Sequence, residues 1–82
     1  MKIFSIYDKV AEEHGSLYEA KNEAVAIRMF KQLLANDLYQ KTDYELHYLG
    51  AWNSKTGEIT PIIPIISIPV QWSPSEEEKK YG

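Results

Sequence analysis

The stretch that most constrains the fold is Asn22 to Asn36, NEAVAIRMFKQLLAN. Ala26, Ile27, Met29, Phe30, Leu33 and Leu34 recur at three- and four-residue steps, which places them on one broad face of a helix. Glu23, Arg28, Lys31 and Gln32 fall mostly on the other face. The Asn22 side chain is suited to accept from an orphan N–H of the first turn, and Glu23 sits where the helix dipole favours a negative charge. Asn36 is suited to end the helix, because asparagine tolerates the left-handed conformation. A helix with one broad apolar face needs an apolar sheet to lie on, so the rest of the chain is expected to supply one.

Strand patterns flank the helix on both sides. Lys2 to Asp8 alternates, with Phe4 and Ile6 on one face and Ile3, Ser5 and Tyr7 on the other. Being apolar on both faces, it suits a central strand. Lys9 to Ser16 is polar and contains Gly15, which reads as a turn or loop. Leu17 to Ala20 then forms either a short strand returning beside the first or a structured loop feeding the helix. Beyond the helix, Asp37 to Asp43 is a polar connection with Leu38 and Tyr39 as plugs at the end of the core.

Tyr44 to Asn53 is strand-like, and Gly50 within it marks a bulge that would move Leu49 and Trp52 onto compatible faces. Asn53 to Gly57 has hairpin-loop chemistry, so Glu58 to Ile63 is expected to pair antiparallel with the strand before it. Pro61, Pro64 and Pro69 punctuate the isoleucine-rich run that follows. Proline cannot donate to a strand ladder, so residues 61–72 form an edge strand or an extended arm. Residues 73–82 read as a disordered tail. The expected fold is α+β: a single domain over residues 1–60, with one helix on a small, mostly antiparallel sheet in the order β-(β)-α-β-β, and a Pro/Ile-rich C-terminal arm.

Composition narrows function without naming it. An 82-residue chain with 44% hydrophobic residues is globular but small, and a partner subunit would enlarge its marginal core. There is no cysteine, which removes disulfides, thiolate nucleophiles and zinc–thiolate sites. No signal peptide or bilayer-spanning run is expected, which fits a soluble protein. Residues 1–72 hold nine acidic and seven basic side chains, so the body carries a charge of −2 and lacks the basic footprint of a phosphate-backbone binder.

No residue pattern supports catalysis or a metal or cofactor site. His14 reads as a solvated loop residue beside Glu12 and Glu13, and His47 as a half-buried packing residue on a strand. Binding is better supported. Tyr7, Tyr48 and Trp52 on strands offer flat faces on which unpaired bases stack, with Arg28, Lys31 and Lys55 as phosphate contacts. An alternative role for Arg28 is a salt bridge to Glu45 or another sheet carboxylate. The alternative surface is the arm, where Ile63, Ile65, Ile66, Ile68, Val70 and Trp72 would meet a second copy or another protein.

Two segments carry a resemblance. FSIYDKVAEEHGSLYEAKNEAVAIRMF has an IYD strand end, a polar loop and an A-I-R-x-F helix, and DYELHYLGAWNSKTGEI follows with a glycine, an aromatic and a T-G turn at fixed spacing. Together they resemble the small nonstructural protein of gokushoviruses, single-stranded-DNA phages of the microvirus group, over residues 2–60. In that family a His-Pro-Glu-Asp run often precedes the tyrosine; here the region is shortened to Tyr39 to Asp43. The resemblance implies a non-capsid protein in the cytoplasm of the infected bacterium. It also implies a non-catalytic role in single-stranded genome synthesis or packaging, with single-stranded DNA or the phage replication and packaging proteins as partners. Arg28, in the matching helix position, is the one polar residue it marks.

Overall fold

The computed structural model describes residues 1–35 and 41–72. The elements run β1 (Lys2–Asp8), β2 (Glu13–Ala20), α1 (Glu23–Leu33), a short 3-10 turn at Lys41–Asp43, β3 (Tyr44–Trp52) and β4 (Ile59–Ile68). The four strands form one antiparallel sheet in the order β2-β1-β3-β4. This is an α+β domain in which the helix covers one face of the sheet.

β1 is central, as its two apolar faces require. β2 starts at Glu13 rather than Leu17, because the loop closes within Lys9 to Glu12. There the Asp8 carboxylate accepts from the N–H groups of Val10 and Ala11, and Glu12 takes a positive φ of 58°. The polar residues read as loop therefore include a strand segment, since β2 is an edge strand and its exposed side chains carry no apolar pattern.

Asn22 caps α1, its side-chain oxygen accepting from the Val25 N–H at 2.9 Å. The helix ends at Leu33 with Leu34 as C-cap. Asn36, Leu38 and Tyr39, expected at the helix end and beyond it, lie outside the described residues, as does the tail from residue 73. Of the expected apolar face, Ala26, Phe30 and Leu34 are buried, Ile27 and Met29 are half-buried, and Leu33 is exposed. The C-terminal end has a feature that periodicity does not reveal. Lys41 is only 3% exposed, and its ammonium donates to the Leu34 carbonyl oxygen. A cation is thereby placed where the helix leaves its last carbonyls unpaired.

The core is one layer between α1 and the sheet: Phe4 and Ile6 from β1, Ala20, Ala26, Phe30, Leu34, Leu46 from β3 and Ile68 from β4. Tyr18 closes one side, its hydroxyl donating to the Ala26 carbonyl at 2.9 Å. Burial pushes its phenol up from 10.0 to about 12. The native state therefore holds this proton above pH 10, where the unfolded chain has lost it. Stability from this group is full below pH 10 and falls as pH rises toward 12. Chemical denaturation should show Tyr18→Phe losing less stability between pH 9 and 11.5 than the natural chain loses. An equal loss in both would mean that other groups drive the alkaline transition.

β4 answers the question of where the Pro/Ile run goes. It pairs with β3 as the outer edge, where prolines cost no ladder bonds. Pairing is split: Trp52 to Gly50 face Ile59 to Pro61, and Tyr48 to Leu46 face Ile66 to Ile68, leaving residues 62–65 opposite Leu49 alone.

Candidate functional face

The single extra residue at Leu49 decides which side chains share a surface. Cross-strand partners lie on the same face, so Phe4, Tyr18 and Tyr48 line the helix side. Tyr48 packs its ring on Phe4 with centroids 5.3 Å apart, and the Lys2 ammonium lies 5.7 Å from its centroid. The register shifts between Tyr48 and Gly50, which reverses the strand's parity. Trp52 consequently emerges on the opposite, open face, where its indole N–H donates to the Glu19 carboxylate. Tyr7 is also on that face. Tyr7, Tyr48 and Trp52 are therefore not one stacking platform, because the sheet separates Tyr48 from the other two.

The remaining expected site residues divide in the same way. Arg28 is exposed on α1. Lys31 stands over the Trp72 ring at 5.2 Å, so its charge is engaged within the fold. Lys55 is exposed in the β3–β4 loop, whose N–H bonds to Asn53 close the hairpin. The Arg28–Glu45 salt bridge is excluded by topology: Glu45 is on the open face and its carboxylate is bonded to His47.

The arm residues split as well. Ile68 is buried in the core, and Val70 and Trp72 pack against it, with Trp72 5.9 Å from the Phe30 ring. These three are used by the chain's own fold, because the strand returns to its own sheet. Ile63, Ile65 and Ile66 remain exposed, Ile63 at 88%.

Two surfaces on the open face stand out. One is an apolar cup formed by Ile3, Leu17, Trp52 and Ile59, with Glu19 at its rim. Leu17 is 65% exposed and Ile59 62%. The other is a cluster of three rings toward the opposite end. Tyr7 lies 4.9 Å from His47 at an interplanar angle of 12°, and 4.8 Å from His14. His14 Nε2 and His47 Nδ1 are 2.9 Å apart. His47 Nε2 lies 2.9 Å from the Glu45 carboxylate and donates to it, which leaves Nδ1 as the acceptor for the His14 N–H.

His14 is exposed, as expected, but it is not in a loop; it lies on β2 opposite Tyr7 and is bonded to His47. The parity of Glu45 and His47 is legible in the sequence. The register that brings His14 over β1 to meet them is not. Among the described residues no three His, Asp or Glu side chains gather around one point as metal ligands. No described helix is long and apolar enough to cross a membrane.

Comparison with known proteins adds the context. No curated protein and no solved structure matches the chain. A family profile described as Phage ORF5 protein matches residues 1–70, which takes in all four strands, the helix and both surfaces of the open face. On that match the chain belongs to the Phage ORF5 protein family.

Proposed function

We propose that this phage protein works by binding rather than catalysis, and that the open face of its sheet is the surface it binds with. The observation that carries this reading is the one-sided covering of the sheet. α1 covers the Phe4 face, while Leu17, Ile59 and Trp52 form an apolar cup on the other. A sheet with apolar groups on both faces is stable when both are covered.

The occupant supported best is a second copy of the chain. Pairing two open faces makes a four-layer arrangement with helices outside and sheets inside, which enlarges a core that 82 residues keep small. An in-plane twofold axis across the strands sets the Tyr7 end of one copy over the Trp52 end of the other.

Single-stranded DNA is the second reading, favoured by the half-buried rings of the open face and by the resemblance to the gokushovirus nonstructural protein. That context would place the protein in the infected bacterium, in single-stranded genome synthesis or packaging. Against direct contact with DNA, Glu19 and Glu45 stand among those rings and repel phosphate.

Sedimentation velocity separates the two. The natural chain should sediment as a dimer at micromolar concentration, and Leu17→Glu should return it to a monomer with an unchanged circular-dichroism spectrum. A monomeric natural chain would overturn the dimer. If that monomer also bound labelled single-stranded oligonucleotides, and Tyr7→Ala weakened the binding, the DNA reading would replace it.

A further inference from the structure

The geometry points to Tyr7 of each copy docking in the apolar cup of the other, with its hydroxyl donating to the partner's Glu19. This rests on the face-to-face dimer and names the side chains that hold it together.

The cup suits one side chain. Its floor is Ile3 of the central strand, and Leu17, Trp52 and Ile59 surround it. Its volume of about 280 Å3 falls below the roughly 300–1,000 Å3 of small-molecule pockets, which leaves room for a single apolar group. The polar group at its rim is the Glu19 carboxylate. Glu19 Oε1 accepts from the Trp52 indole, and among the described residues no donor reaches Oε2. A ring with a hydrogen-bond donor at its tip meets both conditions.

Tyr7 supplies such a ring. It stands on the open face between His47 and His14, whose centroids are 4.9 and 4.8 Å from its own. Those imidazoles are bonded to each other at 2.9 Å, so both flanks of the ring are held before a partner arrives and docking orders little. Among the described residues the Tyr7 hydroxyl has no hydrogen-bond partner. Register then brings ring and cup together. Ile3, Ser5 and Tyr7 share the open face of β1, and Ser5 lies midway, about 7 Å along the strand from each. Ser5 pairs with Leu17 on β2 and His47 on β3. A twofold axis across the strands through this row sets β1 antiparallel over β1 and puts Tyr7 of each copy above Ile3 of the other. Both contacts form at once, because a twofold interface is self-complementary. The same axis sets the two Leu17 side chains, each 65% exposed, against each other. Stacked sheets lie about 10 Å apart, a gap that a tyrosine standing off one sheet largely spans.

The test is sedimentation equilibrium of the full chain and its variants, with isotope-filtered NMR of a mixed dimer in which only one copy is labelled. Tyr7→Ala removes both rings and should raise the dimer dissociation constant about a hundredfold or more. Tyr7→Phe keeps the rings, loses both hydroxyl bonds and should raise it about tenfold. In a Glu19→Gln background Tyr7→Phe should cost less, because the acceptor there carries no charge. In the natural dimer the Tyr7 ring protons of one copy should show nuclear Overhauser contacts to the Ile3 and Ile59 methyls of the other. That measurement needs no variant, so it holds even where Tyr7→Ala fails to fold. A dimer that Leu17→Glu dissociates while Tyr7→Ala and Tyr7→Phe leave it unchanged would overturn this docking and leave the face-to-face reading in place. So would a mixed dimer in which the Tyr7 ring touches neither isoleucine. A natural chain that stays monomeric at every concentration would overturn both.

Discussion

Gly50→Ala is expected to destabilise the protein by about 3 kcal/mol or more. Two independent terms oppose a side chain there. The backbone φ is 148°, which residues with a Cβ rarely adopt. An added Cβ would also lie 2.3 Å from the Thr60 carbonyl oxygen and 2.9 Å from the Pro61 Cα. Both are backbone atoms of the neighbouring strand and cannot move aside as a flexible side chain does. For a domain of this size the loss corresponds to a melting temperature lower by roughly 12 °C or more. Gly57→Ala is the internal control. Gly57 also has positive φ, at 79°, but nothing lies within 4 Å of its Cβ position. It carries the conformational term alone, about 1 kcal/mol. Thermal unfolding of the two variants side by side decides the matter; equal losses would mean that the close β3–β4 approach is wrong. The effect reaches the open face, because the bulge at Leu49 and Gly50 is what sends Trp52 there. A Gly50 variant that folds by closing the bulge should lose the Trp52–Glu19 bond and shift tryptophan emission.

How much of this was legible in the sequence follows from the range of the interactions concerned. The helix, its Asn22 cap and the central strand rest on contacts within a few residues, and periodicity reports those. Gly50 was also legible, because a glycine inside a strand pattern has few structural meanings. Its consequence was legible in part. Alternation alone puts Tyr48 and Trp52 on one face; a bulge at Gly50 moves Trp52 to the face of Leu49, and the register across β1 and β4 fixes where the extra residue falls. The same holds for His14. Its neighbours Glu12, Glu13 and Gly15 have the composition of a loop, while its meeting with His47 spans 33 positions and depends on the pairing of both strands with Tyr7. Lys41 illustrates a third case: a lysine in a polar connection reads as solvated until a helix end is placed above it. In the arm, proline spacing indicated an edge strand. Which isoleucines that strand would bury depended on its partner, and its own sheet takes Ile68 while leaving Ile63 outside.

Phe4→Ala carries the second large effect, because Phe4 is where the layers meet. It is fully buried on the central strand, with the Tyr18 ring 6.2 Å away on one side and the Tyr48 ring 5.3 Å away on the other. Ala26 and Phe30 of α1 belong to the same buried cluster. Truncation removes the transfer energy of the ring and leaves a cavity that three elements border. Phe→Ala in such positions costs about 3–5 kcal/mol. A domain of this length has only about 4–12 kcal/mol in total. The variant should therefore be largely unfolded near physiological temperature, or melt cooperatively far below the natural chain. Phe4→Leu refills most of the volume and should cost about 1.5 kcal/mol. Leu17→Ala, on the exposed cup, should stay within about 0.5 kcal/mol in the monomer. Urea unfolding of the three variants ranks the two faces of the sheet. If Leu17→Ala costs as much as Phe4→Ala in the monomer, the helix covers the other face and the open surface proposed for binding does not exist. If Phe4→Ala alone is severe, the Leu17 cup is spare apolar surface, and its burial can be spent on a partner without weakening the fold that presents it.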